Sequence, residues 1–250
     1  MHGNLEQALS LLYTHDTTHS SMPIQTYATL FQDCAKRKCL QHGMALHHYV
    51  FDKHPRAQNN LFLTNHIIDM YCKCGHLEYA HHVFDKMLHR DVVSWTALIS
   101  GYAQSGLVRE CFSLFSSLLA SFCRPSEFTF PCLLSACEEL DVKCGMQVHA
   151  VALKIAVDAS VYVANALITM YSRCSAFGGC YDHTVDIADC YMLFRETSQK
   201  DIVSWTTIMN VFAERDPEQA FLLFCQLHRE NFVPNWHTFS TALKACAYFV

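Results

Sequence analysis

Charge is scarce in this chain. Only 16% of its 250 residues are Asp, Glu, Lys or Arg, while 51% are hydrophobic. That balance excludes a disordered polymer and leaves ample material for a continuous core. A basic surplus is also missing: 18 Lys and Arg stand against 23 Asp and Glu, a net charge of −5. Bulk electrostatics therefore speak against a nucleic-acid partner. No run of 18 apolar residues free of charge occurs, so no membrane span is expected. There is no Gly-rich phosphate loop and no Gly-x-Ser-x-Gly, and no small-molecule substrate or cofactor is expected. The start, Met1-His2-Gly3-Asn4-Leu5-Glu6, lacks both the basic lead of a secretory signal and the arginines of an organelle presequence.

What the chain has is repetition. Asn-His-Ile-Ile-Asp-Met-Tyr at 65–71 returns as Asn-Ala-Leu-Ile-Thr-Met-Tyr at 165–171, and Asp-Val-Val-Ser-Trp-Thr at 91–96 returns as Asp-Ile-Val-Ser-Trp-Thr at 201–206. Phrases ending in Cys34, Cys137 and Cys246 also echo one another. A cysteine that recurs at one helical position reads as a small buried hydrophobe, so the 14 cysteines point to a reducing compartment rather than to disulfides. Asn65 and Asn165 lie 100 residues apart, whereas Asp91 and Asp201 lie 110 apart. The extra ten residues are placed at 175–184, a loop marked by Gly178-Gly179.

Within each unit the apolar residues follow helical spacing twice. The pattern predicts helices over Thr64–Lys73 and His76–Met87 with Gly75 between them, and again over Ser94–Gln104 and beyond Gly106. Val92-Val93 and Ile202-Val203 read as approaches to a helix, not as strands. The expected fold is all-α, a right-handed solenoid of stacked helix-turn-helix hairpins, each burying a face it cannot cover alone.

These phrases, with Gly-Met-Gln-Val-His-Ala at 145–150, resemble plant pentatricopeptide repeat proteins, specifically the subgroup that alternates long, short and standard repeats. The tetratricopeptide pattern fits less well, since no Leu-Gly pair follows Trp95 or Trp205. The resemblance divides the chain into a partial repeat at 1–23 and a long repeat at 24–60. A short repeat at 61–91 and a standard repeat at 92–126 follow, then a long repeat at 127–160. A short repeat with the insertion covers 161–201, a standard repeat 202–235, and a truncated long repeat 236–250.

The resemblance implies sequence-selective binding of single-stranded RNA, one base per repeat read by two or three side chains. The setting it implies is organellar RNA editing, in a mitochondrion or alternatively a chloroplast, with a deaminase recruited in trans. The first base-reading position falls on Asn65, Thr96, Pro131, Asn165 and Thr206, and its partner on Asp91, Ser126, Ser160, Asp201 and Asn235. An apolar wedge between bases falls on Phe62, Val93, Phe128, Tyr162 and Val203. Pro131 and, in the first long repeat, Ala28 have no side chain with which to read. The family code then gives uracil, purine, any base, uracil, adenine from 5′ to 3′. The alternative for Asn65 and Asn165 is a capping role at a helix start.

No catalytic centre is expected. A zinc deaminase needs His-x-Glu and Pro-Cys-x-x-Cys. His76-Leu77-Glu78 matches by spelling only, and Pro131-Cys132 meets Ser135 where a second cysteine is required. Cys72, Cys74 and His76, with His81 and His82 nearby, read as packing rather than as a metal site. His47-His48 and His149 read as helix-surface or interface residues, the two repeated tryptophans as packing between units, and Lys36-Arg37-Lys38 as a solvated helix end. Two other functions stay open: a protein-binding α-solenoid scaffold, or an incomplete gene product.

Overall fold

The computed structural model describes residues 23–137, 142–175 and 186–249. Among them every regular element is helical and no strand occurs. The expected insertion at 175–184 lies, apart from Ser175, outside the described residues. Among the described residues no helix is long and apolar enough to cross a membrane. The chain forms two compact units, 1–124 and 125–250.

Among its described residues the first unit holds three hairpins. They are α1 (Ile24–Arg37) with α2 (Leu40–Lys53), α3 (Leu61–Lys73) with α4 (Leu77–Asp85), and α5 (Val92–Gln104) with α6 (Val108–Ala120). A 3-10 turn, Pro55–Asn59, joins the first two hairpins. The first helices pack side by side, α1 on α3 and α3 on α5, and each second helix packs on the first helix of its own hairpin. The second unit repeats the plan with α7 (Thr129–Ala136), α8 (Val142–Lys154), α9 (Val161–Ser175), α10 (Ile187–Glu196), α11 (Ile202–Ala213), α12 (Pro217–Arg229) and α13 (Trp236–Cys246). Here α7, α9, α11 and α13 form the layer of first helices.

The core lies between these layers. Phe31, Ile67, Ile68, Leu98 and Ile99 are fully buried in the first unit, and Phe130, Leu133, Ile168, Trp205 and Ile208 in the second. Each such side chain contributes about 1.5–3 kcal/mol relative to exposure. The repeated tryptophans sit where a helix of one hairpin meets the next. Trp95 meets Phe84 edge-on at 4.7 Å, and Trp205 meets Phe194 at 4.9 Å. Cys34 and Cys137 are buried as small hydrophobes, while Cys246 is partly exposed.

Gly75 and Gly106 end the first helices of their hairpins at φ +80 and +70. Their amides bond back to Cys72 and Ala103, and the following amides reach Tyr71 and Tyr102, so the last carbonyls are satisfied as the chain reverses. Lys38 takes the same left-handed role after α1 at φ 54, with Lys36 and Arg37 in the last helical turn.

Helix starts differ from the sequence expectation. α3 begins at Leu61 rather than at residue 64, because Asn60 caps it by accepting from the Leu63 amide at 3.0 Å. α5 begins at Val92 and α11 at Ile202, so Val92-Val93 and Ile202-Val203 form first turns. The second helix of the 61–91 hairpin is shorter than expected, running Leu77–Asp85 rather than 76–87.

Candidate nucleic-acid interface

The candidate reading residues converge at the N-terminal ends of the first helices. Asp91 is the N-cap of α5. Its Oδ1 accepts from the Ser94 amide at 2.8 Å and the Ser94 hydroxyl at 2.6 Å, and its own amide donates to Ser94 Oγ at 3.2 Å, completing a capping box. Packing of α3 on α5 brings Asn65 to the same carboxylate, and Asn65 Nδ2 donates to Asp91 Oδ1 at 3.3 Å.

The second unit reproduces this arrangement. Asp201 caps α11 with Ser204 in the same box, at 2.7 Å to the amide and 2.8 Å to the hydroxyl. Asn165 Nδ2 donates to Asp201 Oδ1 at 3.4 Å. In both pairs the asparagine Oδ1 is buried without a hydrogen-bond partner. Each amide is thus held by one long bond on one side and by nothing on the other. Such an orphaned acceptor is costly in the free protein, which lowers the cost of turning the amide toward a new donor.

The cap is electrostatic as well as geometric. Burial raises the Asp91 carboxyl pKa, but hydrogen bonds from the Ser94 side chain and backbone and from Asn65 outweigh it. The net pKa lies below the ordinary carboxylate value. A negative cap beside the α5 N-terminus also meets the positive end of the helix dipole.

The third pair is linked indirectly. Asn235 caps α13, accepting from the Thr238 amide at 2.9 Å and the Thr238 hydroxyl at 3.0 Å. Thr238 Oγ1 lies 3.0 Å from Thr206 Oγ1, which brings the two candidate reading positions together. Thr206 also donates to the Ile202 carbonyl at 2.7 Å. In the remaining pair, Thr96 is half-buried in α5 of the first unit, and Ser126 lies in the second unit with its Oγ 3.2 Å from Thr129 Oγ1.

The capping alternative for the asparagines resolves in an unexpected way. Asn60, not Asn65, caps α3, whereas the paired aspartates Asp91 and Asp201 are caps. The sequence reading missed Ser94, Ser204 and Thr238, all buried, which orient the paired residues. Their signal was available as a Ser or Thr three residues after each Asp or Asn.

The five candidate wedges share one environment. Phe62, Val93, Phe128, Tyr162 and Val203 are large apolar side chains left 51–54% exposed, each in or just before the first turn of a first helix. They differ in their neighbours. Phe62 packs edge-on against His66 of its own helix at 4.7 Å. Phe128 and Tyr162 contact each other at 5.2 Å, across the repeat that carries Pro131 at the candidate reading position. In that repeat Ser160 also donates to the Glu127 carboxylate. There the hydroxyl hydrogen of Ser160 is already committed and the two rings cover each other.

Ala28 is buried in α1. Among the described residues no three His, Cys, Asp or Glu side chains are grouped to hold a metal ion. Cys72 is packed in the core, while Cys74 and His76 form the α3–α4 turn.

Two models of the pentatricopeptide repeat match the sequence, a repeat-family model at 90–139 and 200–247 and a single-repeat model at 62–92. The Arabidopsis thaliana pentatricopeptide repeat-containing protein At1g71420 is 34% identical, matching 98% of this chain and 46% of its own length. The mitochondrial protein At2g03380 of the same plant is 32% identical over 89% of this chain and 31% of its own. The chloroplastic protein At4g18520 is 28% identical over 89% and 34%. The chain therefore spans less than half the length of these relatives. Among solved structures, the pentatricopeptide repeat protein PPR10 in complex with an 18-nt psaJ RNA element aligns with a TM-score of 0.58 at 19% identity, covering 97% of this chain and 33% of that one. PPR10 from maize aligns at 0.54 and 14%, covering 96% and 39%. Helical hairpins in a repeat solenoid, the matched repeat models and the 34% identity to a plant relative over 98% of this chain together place it in the pentatricopeptide repeat family.

Proposed function

We propose that the chain binds single-stranded RNA sequence-selectively and acts as a specificity factor in organellar RNA editing, without catalytic activity of its own. The observation that carries this reading is the duplicated Asn–Asp pair. Two repeats hold the same amide against the same capped carboxylate, each beside a half-exposed apolar side chain. A protein-binding scaffold gives no reason to repeat that pair in register.

Uracil offers one imino N–H donor between two carbonyl acceptors. The orphaned asparagine oxygen and the amide N–H groups complement that edge, and the half-exposed wedge supplies an apolar surface against the base plane. Thr206 with Asn235 then selects adenine, and Thr96 with Ser126 a purine. The repeat bearing Pro131 leaves its base unspecified. The proposed core is uracil, purine, any base, uracil, adenine, running 5′ to 3′ with the chain. Binding of an RNA element by PPR10 supports RNA as the partner, and the mitochondrial and chloroplastic relatives support an organellar setting. A deaminase acting in trans supplies the chemistry.

Fluorescence anisotropy with a short RNA carrying this core tests the reading. We expect saturable binding that weakens as salt rises, and at least about tenfold weaker binding to a scrambled sequence, the scale of one or two lost base contacts. Equal affinity for both RNAs would sink the base assignments.

A further inference from the structure

Away from the candidate RNA-reading pairs, the first unit contains a cavity of about 350 Å³. Its walls come from helical faces with regular spacing. Met44, His47, His48, Phe51 and Asp52 line it from α2, and Tyr79, His82 and Val83 from α4, with Lys86 at its C-cap. These positions recur at three- and four-residue steps, so each set lies on one face of its helix. Thr64 and Tyr71 of α3 form the floor, and Gln58 of the 3-10 turn closes one end. Asn65 follows Thr64 by one residue, which turns it about 100° around the helix axis toward Asp91.

The lining combines an aromatic platform with an excess of donors. Tyr79 is 45% exposed and stacks on buried Tyr71 at 5.5 Å and 28°. Against one carboxylate, Asp52, stand the Lys86 ammonium and the imidazoles of His47, His48 and His82. His47 Nδ1 shares a 2.9 Å hydrogen bond with the Tyr71 hydroxyl. Burial, followed by the nearby His48, Lys86 and His82, keeps His47 neutral by lowering its pKa to about 4. A neutral imidazole and a phenol carry two hydrogens between them. Whichever atom donates, one N–H or O–H is left over beside the cavity.

We propose that this cavity is a binding site for a nucleoside monophosphate, distinct from the RNA-reading face. Its volume lies at the small end of ligand pockets and suits a mononucleotide rather than a strand. The nucleobase stacks on Tyr79, whose ring is already braced by Tyr71. The phosphate faces Lys86 and the His82 N–H, and Asp52 accepts from ribose hydroxyls. A flat ring, an anion and a diol are the three features this lining complements together.

Calorimetric titration of the full chain with AMP, inorganic phosphate and adenosine in separate arms tests the site. AMP should bind with a Kd of roughly 0.1–1 mM, and phosphate or adenosine alone about tenfold more weakly. Tyr79→Ala and Lys86→Gln alter exposed side chains and should retain the fold by circular dichroism, while each weakens AMP about tenfold. Asn65→Ala, which disrupts the RNA-reading pair, should leave AMP affinity unchanged. The proposal is overturned if AMP does not bind, if both cavity variants bind it like the unmodified chain, or if Asn65→Ala weakens it as much as they do. None of these results depends on whether the proposed RNA core is correct.

Discussion

Asn65 and Asp91 are 26 residues apart in sequence, and Asn165 and Asp201 are 36 apart, yet the amide-to-carboxylate distances are 3.3 and 3.4 Å. The extra residues enter between α9 and α10. Asn165 sits in the second turn of α9, about 15 Å of helix rise before the point where the insertion begins. The carboxylate is positioned by its own capping box on α11, which packs directly against α9. The pair therefore depends on the contact between consecutive first helices and is indifferent to the path between a first helix and its second. A repeat of this design tolerates growth at one end of its hairpin while keeping the other end in register.

The sharpest way to break the likeness is to remove the packing beneath one pair. Trp205 is fully buried and Trp95 nearly so, each one turn into the helix whose cap is the paired aspartate. Trp205→Ala should cost about 3–5 kcal/mol in urea denaturation, and Trp95→Ala a comparable or smaller amount. A loss below about 1 kcal/mol at Trp205 would mean that this contact does not anchor the second pair.

Acid should separate the two repeats next. Tyr71 and Tyr171 occupy equivalent positions and share hydrogen bonds with His47 at 2.9 Å and His149 at 2.8 Å. Burial is the main cause that lowers both histidine pKa values from the ordinary 6.5, His47 to about 4, while Asp158 partly opposes the shift at His149. A histidine with a depressed folded-state pKa binds its proton more readily when unfolded. Stability is then full above about pH 6.5, falls as pH drops toward 4, and levels off below. The loss attributable to His47 should be on the order of 1–3 kcal/mol. His47→Gln should flatten the acid limb of a pH series of denaturation midpoints more than His149→Gln does. Identical limbs for both variants would contradict the stronger perturbation at His47.

Substitution of the aspartates distinguishes capping from reading. Asp91→Ala or Asp201→Ala removes a cap and should cost about 1–2 kcal/mol of stability. Asn caps as well as Asp, so Asp201→Asn should be nearly neutral by thermal melting while moving base preference at that repeat from uracil toward cytosine. An RNA-binding series in which Asp201→Asn leaves the preference unchanged would remove that repeat from the code. The smallest effect is expected from replacing residues 176–185 by the Cys74-Gly75-His76 turn that joins α3 and α4. Stability should change by less than about 1 kcal/mol, since loop-length costs grow slowly, and uracil preference should not change. A changed preference would show that the longer connection helps to place Asp201.

Much of this architecture was legible as text. Recurring apolar spacing and the breaks at Gly75 and Gly106 located the hairpins, because helix periodicity and left-handed turn geometry are local properties. Helix starts were less legible. Asp91 was read only as the last residue of a repeat and Val92-Val93 as an approach, although Asp91 with Ser94 is itself a start signal. The contact between Thr206 and Thr238 and that between Phe128 and Tyr162 had no sequence signature, since each joins residues more than 30 positions apart.

The sequence by itself determined that this chain is an array of helical pairs and which positions recur within it. Periodicity, caps and turn residues act over a few neighbours and can be read from spacing alone. Only the tertiary structure decided that the recurring asparagines share a carboxylate with the helix cap, that the recurring apolar residues remain half-exposed, and that a donor-rich cavity opens between α2 and α4. Those outcomes depend on how closely one helix packs against another, and that distance is set jointly by side chains far apart in the chain.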